Sequence, residues 1–520
     1  MPRFRFWFLG TLVLVLFLAA GSLGADTLRL VYPQKPVSLD PHRWPPDPAA
    51  EPVLLTVYSR LIGLKDGRGQ LDTAEGLAYT IRVSDDDLMY TVRMREGLTF
   101  SDGRPVNAEA ALFSFDRLMR TEAGRNLFPR LKSFTIIGDY TFSLILDQPW
   151  PPFMASLALP QASLISPSLA ERESNFLDSH TLGSGRFMAG EAGPDFLSLI
   201  LRPDSPSRPK LDRAEFYFES DPQKRLALYR AKEGHLLAGP PPGTEPSSSE
   251  VLLTMATWDT RYLAFNFRRP YLGLPSVRAA LTGLAKAAFA GEKFQPRGFF
   301  PAGLFAGPAA PETDGDLQNA RDLLAAAGLP RGPLNLVYPG REAWARPDAE
   351  KLAAVFLEHG LKVNLVPLTG QAGQGLIEAA DYDLYLGSRA PEIPSPEMWL
   401  GRFLDSRGAG RGNTAYFARE EADSLIRSFR ASLPRNQRDQ KTGELEVLAE
   451  TEKPYVLLYQ KGLTFLADQR LARQKTHPMW PSAWPVMTAN LSPFQDTRTK
   501  KTEEPLPVRE FDEQVAEPWD

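Results

Sequence analysis

Five histidines, His42, His180, His235, His359 and His477, are the side chains best suited to bind a transition metal or move a proton near neutral pH. Their spacing contains neither HxxxH nor HExxH, so no zinc ligand set is visible and no metal is expected. The chain has no cysteine, which removes disulfides, thiolate nucleophiles and cysteine metal sites together. Ser184 lies between Gly183 and Gly185 but lacks the outer spacing of a nucleophile elbow, and reads as part of a turn. The stretches Gly370 to Gly375 and Gly408 to Gly412 lack the Lys-Ser/Thr of a phosphate loop and match no dinucleotide turn. Both read as flexible loops, and no cofactor is expected. His359 falls at a predicted helix end, where the helix dipole accounts for it. A hydrolase therefore has no support beyond carboxylates, which are spread along the whole chain. Binding is the better-supported kind of chemistry.

The elements that would position such residues are legible in the run Tyr90 to Leu118, YTVRMREGLTFSDGRPVNAEAALFSFDRL. Tyr90, Val92 and Met94 alternate with Thr91, Arg93 and Arg95, the period of a strand with one buried face. Asp102-Gly103 marks a tight turn. Asn107 is placed to cap a helix, Glu109 sits in its first turn, and Ala111, Leu112, Phe115, Leu118 and Met119 recur at helical spacing. Further strands are predicted at Leu28 to Val31, Phe134 to Ile137, Thr141 to Leu146 and Phe196 to Leu201. Helices are predicted at Pro52 to Leu64 and Arg225 to Lys232, with a turn at Lys65 to Gln70 and a Pro/Ser/Gly-rich loop at Gly239 to Ser249. The last third is α/β by pattern. A helix at Asn319 to Ala327 stops at Gly328, then strand Leu334 to Tyr338, helix Asp348 to His359 and strand Leu361 to Pro367 form a βαβ unit with parallel strands. DYDLYLGS from Asp381 offers another strand, and Asn413 to Tyr416, Glu421 to Phe429 and Leu445 to Leu448 continue as helices before a strand at Pro454 to Tyr459.

At 520 residues the chain exceeds what one core supports, so two or three lobes are expected. Charged residues at 23% and apolar residues at 43% are ordinary for a soluble protein. The net charge of -4 disfavours a nucleic-acid surface. Arg3 and Arg5 precede an apolar stretch from Phe6 to Leu18 and small residues that include Ser22 and Gly24, which reads as a secretory signal peptide. The alternative is an uncleaved membrane anchor, since about 20 residues can span a bilayer. Beyond Asp496 the chain reads as a charged, loosely held tail.

The run from Tyr90 to Leu118 closely resembles the signature of the bacterial extracellular solute-binding proteins of family 5, the peptide-, nickel- and opine-binding components of ABC importers. The loop PVSLDP (Pro36 to Pro41), TLGSGRF (Thr181 to Phe187), RYLAFNF (Arg261 to Phe267) and PSVRAAL (Pro275 to Leu281) are similar to further segments of the family, in the same order from about Leu28 to Trp484. The resemblance implies an α/β protein with the two-lobe periplasmic-binding-protein fold (type II, cluster C-like) and an extra small α+β domain. The implied division is a signal peptide over 1–25, the first lobe over 26–70 and 186–268, the small domain over 71–185, the second lobe over 269–475, a return to the first lobe over 476–495, and the tail over 496–520. Without a cysteine to lipidate, the chain is expected free in the periplasm, unless the N-terminal segment is retained as an anchor.

In peptide-binding members an aspartate four residues before a proline, in the turn after the strand that YDLYLG resembles, holds the ligand's α-ammonium group. Here that position is Glu392, four before Pro396, which keeps a carboxylate for a charge-assisted hydrogen bond. Arg389 stands where the family has a tryptophan and Ser388 where glycine is common. Arg389 is suited to a ligand carboxylate or phosphate through its planar fork, or to pairing with Glu392 three residues on. Leu386 replaces a basic residue seen in some peptide binders. By the same resemblance Val37, Ser38 and Leu39 border the cleft, with backbone groups able to pair with an extended ligand. Tyr58, Trp258 and Trp399 are aromatic candidates for its wall, with core or rim packing as the competing reading. The implied function is capture of a small solute (a peptide, an opine or an oligosaccharide) between hinged lobes of a monomer, and its delivery to the membrane subunits of an ABC permease. A ligand sensor of the same fold is the alternative, and a secreted hydrolase the third reading.

Overall fold

The strand Asp26–Tyr32 buries Leu28, Leu30 and Val31 completely, because it lies inside a ten-stranded sheet and has neighbours on both edges. It runs parallel to Leu211–Phe218 on one side and to Leu236–Ala238 on the other. The computed structural model describes residues 26–43, 45, 47–64, 71–72, 76–205, 211–296, 298–305, 324, 332–429, 435–471 and 479. The expected signal peptide, the turn at 65–70, the helix at 319–327 except Leu324, and the segments 480–495 and 496–520 lie outside the described residues. Among those described, no helix is long and apolar enough to cross a membrane.

Two long strands, Glu250–Phe265 and Tyr455–Asp468, run antiparallel through both lobes and join their sheets. Their register breaks between Ala256 and Thr260, which bends the ribbon where it passes from one lobe to the other. Gln460, 2% exposed, spans that break: its amide nitrogen donates to the Thr257 carbonyl at 2.8 Å and its oxygen accepts from the Ala302 N–H at 3.0 Å. In the first lobe the buried set includes Leu30, Leu54, Phe187, Phe216 and Phe465. In the second, Leu263, Leu284, Leu352 and Phe356 share one core cluster, while Trp258, Tyr262, Trp399 and Phe403 share another. The return to the first lobe therefore occurs within the strand Tyr455–Asp468, since Phe465, Ala467 and Leu471 already belong to the first core. That is earlier than the expected boundary at 476.

The small domain is a four-stranded antiparallel sheet, in the order Ala78–Val83, Met89–Met94, Thr141–Leu146, Leu131–Gly138, with the helix Ala108–Met119 packed against the last of these strands. Tyr90, Val92 and Met94 point inward as their alternation requires. Asn107 caps the helix, its side-chain oxygen accepting from the Ala110 N–H at 3.0 Å. Asn107→Ala should destabilise the protein by about 1 kcal/mol, measurable as a lower urea midpoint with unchanged m-value. Leu112 departs from the expected stripe and is 38% exposed. The Ser-Asp-Gly turn is tied to the glycine-rich return by the Ser101 N–H, which donates to Gly183 O at 2.9 Å, and to the segment preceding that return by the Ser166 and Ser168 hydroxyls, which donate to Asp102. A Cβ on Gly183 would fall on the Val57 carbonyl oxygen, so this segment must be glycine to pass so close.

Three predicted elements differ. The first helix is Glu51–Val57, and Tyr58 is already extended, with a short strand at Gly63–Leu64. Residues Gly370–Glu378 form a helix, not a flexible loop. Asn413 to Tyr416 are not helical: fully buried Asn413 instead donates to Phe417 O at 2.7 Å and accepts from Tyr455 Oη at 3.1 Å, which holds the segment as a tight loop.

Candidate ligand-binding site

The strands Leu334–Pro339 and Leu384–Arg389 run parallel, so their carboxyl ends lie together at one edge of the second lobe. Sheet edges of this kind are where α/β proteins place ligand-binding turns. The turn after Arg389 leads into the helix Pro396–Leu404, whose cap is Ser395, its hydroxyl accepting from Met398 N–H at 3.3 Å.

Arg389 and Glu392 do not pair. The Arg389 guanidinium lies 4.7 Å from the Phe403 ring centre and donates through Nη2 to Gly412 O at 3.2 Å, while Nη1 is buried without a hydrogen-bond partner. Glu392 instead meets Arg402 at 3.2 Å, with both side chains more than half exposed. A pair so exposed is worth no more than about 1 kcal/mol, so Glu392 can exchange Arg402 for a better partner at little cost. The three-residue spacing suggested an i,i+3 contact. Arg389, however, is the last residue of a strand, and the turn sends the two side chains apart.

Ser388, at a position where glycine was expected, is bonded to the strand that joins the lobes: its hydroxyl lies between the Asp259 carboxylate and the Arg261 guanidinium. Arg261 is 5% exposed, donates to Asp259 at 2.8 Å, and stacks 3.9 Å from the Trp344 ring centre. Its Nε is buried without a partner. Sequence reasoning missed this cluster. The signal was available in Arg261, the one charged residue within RYLAFNF.

The remaining candidates are distributed unevenly. Val37 is 60% exposed, whereas Ser38 and Leu39 are buried. The N–H groups of Val37 and Leu39 are bonded to the Asp47 carboxylate and to Leu177 O, both at 2.9 Å, so the expected strand-like pairing with a ligand does not use them. Tyr58, Trp258 and Trp399 are each 2% exposed and belong to lobe cores, which is the packing alternative rather than the cleft wall. For the two indoles the bonding explains why: Trp258 Nε1 donates to Ala302 O at 3.0 Å and Trp399 Nε1 to Phe299 O at 2.7 Å, so burial strands neither N–H.

A second polar group lies where the first lobe meets the small domain. Arg117 makes a two-pronged ion pair with Asp40 at 3.0 and 2.5 Å, and Asp40 also accepts from the His42 N–H at 3.0 Å. His42 Nε2 lies 3.0 Å from Ser163 O. Burial, with the Arg117 charge added, pushes the His42 imidazole down to about 4, so the ring is neutral. Arg117 and the hydrogen bonds it makes hold the Asp40 carboxyl below the usual range despite burial. Ser184 is far from a nucleophile's setting, its hydroxyl being buried with no hydrogen-bond partner. No cluster of three potential metal ligands occurs among the described residues.

Comparison with known proteins gives a consistent result. The family model for the bacterial extracellular solute-binding proteins, family 5 middle region, matches residues 72–411. A probable D,D-dipeptide-binding periplasmic protein of Escherichia coli (strain K12) is 26% identical over 454 residues, covering 83% of this chain and 88% of the relative. A glutathione-binding protein of Salmonella typhi is 26% identical over 455 residues, covering 82% and 87%. Among solved structures, HbpA2 from Haemophilus parasuis superposes with a TM-score of 0.76 at 21% identity, covering 87% of this chain and 98% of that one.

Proposed function

The chain belongs to the bacterial extracellular solute-binding proteins of family 5, the substrate-binding components of ABC-type importers, and from that premise we propose that it captures a short peptide-like solute in the periplasm. Relatives named for D,D-dipeptides and for glutathione support a peptide-like ligand over an opine or an oligosaccharide. The observation that carries the reading is the composition of the turn at the carboxyl ends of the parallel strands. It offers a guanidinium with a buried, unpartnered Nη1 at Arg389 and, three residues on, the weakly held Glu392 carboxylate. The two ends of a simple dipeptide carry one carboxylate and one ammonium, which these two groups complement. Closure of the lobes on the solute then presents the closed form to the permease membrane subunits.

Calorimetric titration with D-alanyl-D-alanine and with reduced glutathione tests the assignment. Arg389→Ala is expected to weaken the bound peptide by about 1.5–3 kcal/mol, and Glu392→Gln by about 1–3 kcal/mol, the cost of removing a hydrogen bond to a charged group. An N-acetylated ligand should erase the Glu392 effect and leave that of Arg389. Unchanged affinity in both variants would remove the turn from the site.

A further inference from the structure

The turn that carries Arg389 and Glu392 is also the place where the second lobe reaches the small domain. Ile393, the residue after Glu392, is 1% exposed and is buried in the hydrophobic cluster that forms the small-domain core, including Phe153 and Leu157, and that also takes in Leu55, Leu61 and Ile62 from the adjoining first lobe. Met398, at the start of the following helix, packs against the same cluster. A second contact lies on the helix Arg435–Glu452, where Arg438 meets Asp87 at 3.7 Å with each side chain about three-quarters buried. Asp87 occupies the turn between the strands Ala78–Val83 and Met89–Met94 with φ of 54°, a left-handed conformation that aspartate and asparagine tolerate better than most residues.

From these two contacts we infer that the small domain is a catch for lobe closure: Ile393 seats in its core and Arg438 pairs with Asp87, holding the second lobe against a part of the molecule outside the ligand cleft. The lobes are otherwise joined by the bent ribbon of Glu250–Phe265 and Tyr455–Asp468, which permits hinge motion. Opening must withdraw Ile393 into water and separate the ion pair, so both contacts favour the closed state whether or not solute is present. Because apparent affinity scales with the population of the binding-competent form, Ile393, Arg438 and Asp87 govern solute retention without touching solute. Docking Ile393 also positions Glu392 beside it. The inference rests on the lobe-closure reading above, yet it can be tested without any ligand.

The absence of cysteine allows two spin labels to be placed without background. Labels at Tyr79→Cys on the small domain and Leu357→Cys on the second lobe, both more than half exposed, report the separation by pulsed dipolar spectroscopy on the full chain. The unliganded protein should show one short distance. Ile393→Asp should shift it to longer values, and Arg438→Glu, which opposes two like charges, should populate a second, longer distance that Asp87→Asn in the same background reduces. The Arg438 variants, being nearer the surface, decide the matter if Ile393→Asp does not fold. A distance distribution identical to that of the parent in folded Arg438→Glu and Ile393→Asp proteins would overturn the catch. A failure of peptide binding with the shifts intact would overturn only the ligand assignment.

Discussion

Acidification from pH 6.5 to pH 4 should remove about 3 kcal/mol of stability through His42 alone. The folded imidazole is held neutral, down to about 4, by complete burial and by the Arg117 charge, whereas in the unfolded chain it takes up a proton near its ordinary value of 6.5. Between those values the unfolded state binds a proton that the folded state refuses, so stability falls as pH falls and the loss saturates below the lower value. Asp40 adds a second loss at still lower pH, because its carboxyl is held below the ordinary range and its contribution disappears as it is protonated. Glu51 works against His42 in part of this window. Burial and the neighbouring Asp47 raise its carboxyl to about 8, so the folded state gains from acidification there. The difference between the parent and His42→Asn isolates the imidazole. Urea midpoints at pH 7, 6, 5 and 4 should converge for the two proteins as pH falls. Parallel curves would show that His42 is not held neutral by the fold.

Arg278→Ala should cost about 3–5 kcal/mol, the penalty for breaking a buried charged network from one side. The side chain is fully buried within the helix Pro275–Ala288. Its Nε donates to Glu452 O at 2.6 Å, Nη1 to Leu272 O at 2.9 Å and Nη2 to the Glu452 carboxylate at 3.2 Å, and the guanidinium lies 4.4 Å from the Phe267 ring centre. Burial lowers its pKa to about 10, which leaves it charged at neutral pH. Removal strands two carbonyls and leaves a cavity beneath Phe267. Lysine cannot reproduce the three-pronged geometry, so Arg278→Lys should recover only a minor part of the loss. Chemical denaturation of both variants checks this. A midpoint for Arg278→Ala close to that of the parent would mean that the network is dispensable.

The segments that sequence patterns located well are those whose structure depends on near neighbours. Asn107 caps its helix through an N–H three residues away, and the strand at Tyr90 to Met94 alternates because adjacent side chains must point to opposite faces. Family membership was legible for a similar reason, since the order of motifs along the chain survives without knowledge of their contacts. Glycine content misled at Gly370 to Gly375, where packing against the neighbouring strand, with Gly373 close against Leu368, outweighs low helix propensity only in a folded setting.

The candidate site divides along the same line. That a carboxylate and a guanidinium stand at 392 and 389, and that no cysteine, histidine set or phosphate loop competes with them, is determined by the sequence. Which partner each group has is not, because Gly412 approaches Arg389 from 23 residues away and Arg402 reaches Glu392 from the next helix. Tyr58, Trp258 and Trp399 show the limit most plainly: an aromatic ring suits a cleft wall and a core equally well, and only the packing of distant elements around it decides. The burial of Ile393 among residues more than 200 positions earlier in the chain is of that kind too. Local periodicity specifies faces and caps, whereas contacts between lobes arise only when long-range closure brings those faces together.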